Sequence, residues 1–201
     1  MTIEQDGRLI VIDPGEFTSS LAIPDTIDAV VITHEHQDHF DPDMLAAIYD
    51  KNPTSVLISL QTIVEKMPDH QSKAVAPGDT VTVGPFTLEF FGGTHAEIHN
   101  SIALIDNLGV LINDSFYYPG DSFALPHRHV ELLALPASGP WFKTSDAVDF
   151  MTAVKPTIVF PVHDIHNSSH GQALFHRIVG GFASKIGTTY TPLAITQTID
   201  I

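Results

Sequence analysis

The 201-residue chain contains no cysteine. Disulfides and thiolate metal sites are thereby excluded, and any metal must be held by imidazole and carboxylate. Positive charge is scarce: 9 Lys and Arg stand against 24 Asp and Glu, for a formal net charge of −15. Such a chain repels a phosphate backbone, and no basic run offsets the repulsion, so a nucleic-acid partner is not expected. Long apolar runs are missing too. None approaches the ~20 residues of a membrane helix, and residues 1–8 lack the basic start and apolar stretch of a signal peptide. A cytoplasmic protein without membrane contact is the expectation.

Histidine, by contrast, is abundant. The chain carries 12, more than its Lys and Arg together, and histidine is the commonest protein metal ligand. Hydrophobic residues make up 43% and charged residues 16%, which is ordinary for a globular protein. The length suits one domain over residues 1–201, with enough buried surface to need no outside staple.

Apolar or alternating runs at residues 9–12, 29–32, 55–59, 80–83, 86–91, 101–105, 110–112, 132–135, 158–162 and 195–201 read as strands. Residues 106–109 suit a hairpin turn between strands 101–105 and 110–112. Asp41 followed by Pro42 has the form of a helix N-cap and first helical position, with Met44, Leu45 and Ile48 on the apolar face behind it. Further helices are expected at residues 60–67, from a Ser145 cap through Val154, and at 172–186, where Gly180 and Gly181 weaken the middle. Strands interleaved with modest helices fit a layered α/β architecture with mixed sheets.

The chemistry concentrates at His34-Glu35-His36-Gln37-Asp38-His39, directly after the apolar run 29–32. In an extended stretch, residues two apart point the same way, so His34 and His36 can converge on one ion. Asp38 and His39 sit where the chain turns toward the helix at Pro42, so their side chains can diverge toward a second ion. A lone pair of histidines would not need this spacing.

The segment resembles the signature of the metallo-β-lactamase superfamily, and other motifs follow in that family's order. Asp13 and Gly15, after the first apolar run, match the first motif, whose aspartate supports the metal cluster through its ligands. Gly92-Gly93-Thr94-His95 matches the motif of the third histidine, with His99 as the competing choice four residues on. Tyr118-Pro119-Gly120-Asp121-Ser122 resembles the segment whose aspartate bridges both ions, and Phe160-Pro161-Val162-His163 matches the last motif. The resemblance implies a four-layered αββα sandwich with two mixed β-sheets. It also implies two divalent ions on His34, His36, Asp38, His39, His95, Asp121 and His163. Zinc is the first expectation for an all-N/O ligand set, with manganese, iron and nickel compatible. Diiron relatives carry glutamate where this chain has His36, which favours zinc and hydrolysis.

The activity so implied is hydrolysis by a hydroxide held between the ions, cleaving a phosphoester, phosphodiester, lactone or other ester, with Asp38 also serving the reaction. The resemblance is to the small stand-alone hydrolases related to sugar-phosphate lactonases, whose flavour residues 131–141 carry, and it implies a small anionic substrate. His99 and His166 are candidate substrate contacts. His70, His127, His129 and His176 read as surface or packing residues. Two other readings stand beside the hydrolase: a non-catalytic metal-binding or regulatory protein on the same fold, and a metal-dependent oxidoreductase.

Overall fold

The computed structural model describes residues 1–18 and 22–200. One sheet contains β1 (Thr2–Gln5), β2 (Arg8–Ile12), β3 (Ala29–Val31), β4 (Val56–Ser59) and β5 (Ser72–Ala74), side by side in that order. Only the β1–β2 pair is antiparallel. The other contains β6 (Thr80–Val83), β7 (Phe86–Gly92), β8 (Leu108–Ile112), β9 (Phe116–Tyr118), β10 (Leu132–Pro136), β11 (Ile158–Val162) and β12 (Thr189–Tyr190). It runs as an antiparallel meander from β6 to β9 and as parallel strands from β9 to β12. Helices α1 (Pro42–Lys51) and α2 (Gln61–Val64) belong to the first sheet, α3 (Thr144–Val154) and α4 (Ser169–Lys185) to the second.

The period-2 alternation of the strands explains why the layers stack. Ile10 and Ile12 of β2 and Ala29 and Val31 of β3 face a core between the sheets, where they meet Leu88, Phe90, Val110 and Ile112. The intervening Val11 and Val30 face outward onto Leu45 and Ile48 of α1. In the second sheet, Leu132 and Ala134 turn inward, while Leu133 and Leu135 pack on Ala147 and Met151 of α3. Both faces of the central strands are therefore apolar, as strands covered on two sides require. Each fully buried Leu or Ile contributes roughly 1.5–3 kcal/mol relative to exposure. The fold is the expected αββα sandwich of two mixed sheets. Among the described residues, no helix is long and apolar enough to cross a membrane.

Several local expectations are corrected. Residues 101–105 are not a strand, and 106–109 is not a hairpin turn. β8 pairs with β7, and residues 93–107 form a loop whose ends meet through Gly93 N donating to Asn107 O at 3.0 Å. Ile102 and Leu104 are more than half exposed, so that apolar run has no partner sheet to bury it. Helix α2 ends at Val64, short of Met67. Helix α3 starts at Thr144 after Lys143, and Ser145 Oγ bonds Asp146 instead of capping. Helix α4 begins earlier than residue 172, on a Ser168 side chain that accepts from Gly171 N. Its two central glycines stay helical, Gly180 lying against Tyr190. Residues 195–200 form no strand, Ile195 being exposed, and Ile201 lies outside the described residues. Strands β1, β5, β9 and β12 have no counterpart among the expected elements, being short, and β1 and β5 largely exposed besides.

One close approach connects this scaffold to the histidine segment. Gly15 packs on the backbone of Asp38 and His39 so tightly that a Cβ would overlap the Asp38 carbonyl and the His39 nitrogen. Gly15→Ala is therefore expected to destabilise by about 1–3 kcal/mol, as overpacking does. Thermal denaturation should show a fall in Tm of roughly 2–12 °C, at 2–4 °C per kcal/mol for this chain length.

Candidate metal centre

The site gathers at the carboxyl ends of strands from both sheets. Strand β2 leads into Asp13, which adopts a left-handed φ of 48°. Strand β3 runs into Thr33 and His34, and the following turn closes through His39 N and Phe40 N on the His36 carbonyl. Helix α1 then starts at Asp41, whose side chain accepts from Asp43 N and Met44 N, so the cap expected from sequence is present. The loop after β7 carries His95, the loop after β9 carries Asp121, and His163, with φ 58°, directly follows β11. Non-glycine residues at positive φ cost roughly 1–3 kcal/mol and cluster at functional sites. The two sheets are joined here by Leu108 N donating to Thr33 O at 2.9 Å.

Three side-chain groups place one ligand-type atom each within 4.8 Å of one another: His34 with His36 and His95; His34 with His39 and Asp121; Asp38 with His39 and His163. Asp121 reaches both ends, its Oδ1 lying 3.2 Å from His39 Nε2 and its Oδ2 3.5 Å from His95 Nε2 and 3.4 Å from His163 Nε2. Asp38 Oδ2 is 3.2 Å from His163 Nε2 and 3.7 Å from His39 Nε2. All seven residues expected from the sequence are thus brought together. His99 is not among them. It is exposed, and its Nδ1 pairs with Ser101 Oγ at 2.7 Å.

Hydrogen bonding behind the rings decides which nitrogen each presents. Asp13 accepts from Thr33 N at 2.8 Å, from Thr33 Oγ1 at 2.7 Å and from His39 Nδ1 at 2.7 Å. Because the Thr33 hydroxyl proton goes to Asp13, its oxygen must accept from His34 Nδ1, 3.0 Å away. His95 Nδ1 donates to the Ala96 carbonyl at 2.6 Å. Each ring is therefore left with an Nε2 lone pair, and His34 Nε2, His39 Nε2, His95 Nε2 and Asp121 Oδ1 are buried with no hydrogen-bond partner. Buried polar atoms are normally paired. Four orphaned electron pairs facing one another repel unless a cation lies between them, so the donor set fits divalent metal. The Nδ1–H bonds are the outer interactions that orient ligating histidines and raise their basicity.

The carboxylates of the cluster draw positive charge to the ring nitrogens that face them, either a proton on Nε2 or a cation in its place. Burial, with His39 as the next contributor, pushes His34 down to about 2. Burial opposes charge on His39 as well, but Asp13 and Asp121 outweigh it and raise that ring to about 10. Burial acts to raise Asp38, yet the hydrogen bond from His163 and the charge of His39 hold it at about 2. Asp121 lies below the usual carboxylate range because His39 and His95 overcome its burial. Burial also works against His163, which Asp38 and Asp121 nonetheless raise, whereas burial and His95 lower His36. Both carboxylates are thus ionised and seek positive charge at the centre of the cluster.

Three contributors were not read from the sequence. Asn107 is fully buried and clamps the Asp121 loop, accepting from Asp121 N at 3.0 Å and donating to the Pro119 carbonyl at 2.8 Å. In sequence it looks like an ordinary turn residue and carries no signal. Tyr118 Oη lies 3.4 Å from His39 Nδ1. Trp141, the chain's one tryptophan, donates its indole N–H to Asp121 Oδ2 at 2.7 Å and packs edge-on to His95. Gly139, at φ 139°, makes room for it: a Cβ there would lie 2.9 Å from the indole nitrogen. A lone tryptophan two residues after a glycine, just past a strand, was the available clue. Of the remaining histidines, His166 lies tilted against His163 and edge-on to Phe17, His70 lies flat on Tyr49, and His176 packs beside Tyr190.

A sandwich of two mixed sheets with a His/Asp cluster at its strand ends defines a metallohydrolase-type fold. The chain matches the Beta-lactamase superfamily domain over residues 1–163, and it belongs to that superfamily, in its metallo-β-lactamase form. The protein Rv0786c of Mycobacterium tuberculosis is 34% identical over 159 residues, covering 77% of this chain and 74% of the relative. Among solved structures, Igni18, a metallo hydrolase from the archaeon Ignicoccus hospitalis, superposes with a TM-score of 0.75 at 19% identity, covering 98% of this chain and 92% of Igni18. CmlA, a diiron β-hydroxylase from Streptomyces venezuelae, matches with a TM-score of 0.70 at 15% identity, over 96% of this chain and 50% of CmlA.

Because Trp141 holds one oxygen of the aspartate shared by both ends of the cluster, Trp141→Phe should keep the fold and weaken metal binding by roughly 10–100-fold, the usual effect of removing an outer hydrogen bond. Competition against a chromophoric chelator measures the change. In the wild type, metal titration should also alter the emission of this one indole. An unchanged affinity in Trp141→Phe would show that the contact is incidental.

Proposed function

We propose that the protein is a metal-dependent hydrolase that holds two divalent cations, zinc foremost, on His34, His36, Asp38, His39, His95, Asp121 and His163. The observation that carries this reading is the set of unpartnered lone pairs on His34, His39, His95 and Asp121. Its all-N/O composition suits zinc, and His36 at the position of the diiron glutamate supports zinc over iron. When bound, such cations lower the pKa of water toward neutrality and stabilise developing negative charge on oxygen.

The chain's own residues divide the remaining work. Asp121, nearly fully buried, is tied by Trp141 and spans the two ends of the cluster. Asp13 fixes His39 and Thr33 and touches no solvent-facing ligand. Asp38 differs from both carboxylates. Its side chain is 20% exposed, so it alone of the cluster's two aspartates meets the open cleft as well as His39 and His163. There it can orient an attacking water and take its proton, passing it to a leaving oxygen. The bond cleaved is a phosphoester, phosphodiester, lactone or other ester, each of which develops an oxyanion that the cluster would stabilise. The setting is proposed to be the cytoplasm.

Elemental analysis of metal-supplemented protein should give close to two ions per chain, and one or none would sink the two-metal reading. Iron with a visible absorption band would favour oxygen chemistry instead. At saturating zinc, Asp38→Asn should keep the fold and lose turnover by about a thousandfold, within the 10²–10⁴-fold range of general acid–base catalysis. Asp43→Asn, an exposed control on α1, should change the rate by less than about twofold. Retention of more than a tenth of wild-type turnover in Asp38→Asn would remove Asp38 from the reaction.

A further inference from the structure

A cleft of about 180 Å³ opens beside the Asp38, His39 and His163 end of the metal centre. Ile12 and Val162 form its inner wall, and Phe17 and Ile165 its mouth. Those last two are 50% and 58% exposed, unusual for large apolar side chains beside a polar centre. The rings of His163, His166 and Phe17 follow one another from the cluster to the rim, at centroid separations of 5.4 and 6.0 Å.

The charge of the lining is as informative as its apolarity. Its ionisable members besides the histidines are Asp13, Asp38, Asp164, Tyr118 and the N-terminal ammonium of Met1, which donates to the Ile12 carbonyl at 2.6 Å, and no Lys or Arg is among the described lining residues. The Lys and Arg side chains are engaged or placed elsewhere. Arg8 pairs with Asp28, Lys51 with Asp25, Lys66 with Glu35, Arg128 with Glu89 and Asp114, and Lys143 with Asp146. Lys73 lies on β5, Lys155 just past α3, and Arg177 and Lys185 on α4. A phosphate remote from the scissile bond would find no Lys or Arg fork of donors, and three carboxylates, Asp13, Asp38 and Asp164, that repel it. A hydrocarbon substituent would instead find surface to bury, as substrate pockets commonly offer.

Resting on the hydrolase reading above, we propose that this cleft is an acyl-chain subsite, and that the substrate is a carboxylic ester or lactone with an apolar acyl part and no phosphate. Water oxygen bonds to the acyl carbon and the acyl C–O bond breaks. One water proton goes to the leaving alkoxide, and the other enters solvent as the new acid ionises. The anionic character expected from the sequence then belongs to the developing oxyanion and not to the substrate at rest.

The test uses zinc-loaded protein with p-nitrophenyl esters from acetyl to octanoyl and with bis(p-nitrophenyl) phosphate. The expected result is a rise in kcat/KM of about two- to fourfold per methylene until the cleft is filled, since burial of each CH₂ has that worth, with the phosphodiester at least a hundredfold slower than the octanoyl ester. Phe17→Ala and Ile165→Ser should each lower the octanoyl-to-acetyl ratio at least fivefold, while Leu174→Ser, exposed on α4, leaves it unchanged. Faster phosphodiester turnover, or an Ile165→Ser ratio equal to wild type, overturns the proposal. If neither class is hydrolysed, the hydrolase reading itself fails for these bonds. Calorimetry with octanamide still tests the cleft in that case: binding by wild type that is lost in Ile165→Ser upholds the apolar subsite, and no binding by wild type overturns it.

Discussion

The buried Asp13 carboxylate is the constraint on which the metal centre depends. It ends β2 in a left-handed turn, receives both donors of Thr33, and receives Nδ1–H of His39. Through these bonds one side chain sets the exit of β3, the tautomer of His39 and, by way of the Thr33 hydroxyl, the tautomer of His34. A buried carboxylate left without such donors would cost several kcal/mol, so the arrangement holds only if all three contacts form together. Gly15 completes the lock by letting the backbone of the first motif lie directly on Asp38 and His39.

The sandwich serves this local order by bringing distant strand ends together. Apolar alternation packs the two sheets on each other and each sheet on its helices, and the carboxyl ends of β2, β3 and β11 then meet at one edge. His163 comes within 3.2 Å of Asp38 across 125 residues of chain. Asn107 performs the same service for the Asp121 loop, replacing a strand with a single clamped side chain. The loops can be irregular because their ends are fixed by rigid strands.

Much of the site was legible in the sequence, and for a physical reason. Spacing such as His-x-His-x-Asp-His is a local property, set by the geometry of an extended segment entering a helix. The strand-ending positions of Asp13 and His163 and the glycine before Asp121 are local as well. The choice between His95 and His99 was not local. Both follow the same strand, and only the return of the loop through Ile105 and Asn107 turns His95 inward while His99 stays with Ser101. Strand expectation failed at residues 101–105 for the same reason: alternating apolarity marks a strand only when a second sheet or a pairing edge covers it.

The sequence by itself determined the class of donors, nitrogen and oxygen without sulfur, together with the histidine and aspartate spacing and the apolar alternation from which two covered sheets arise. Each follows from residue identity or near-neighbour geometry. Tertiary structure alone decided which lone pairs remain free. It also placed Trp141 on Asp121 and Asn107 under the Asp121 loop, and set a cleft free of Lys and Arg against Asp38. Those are contacts between segments tens of residues apart, and they come into being only when the sheets pack and desolvate what lies at their shared edge.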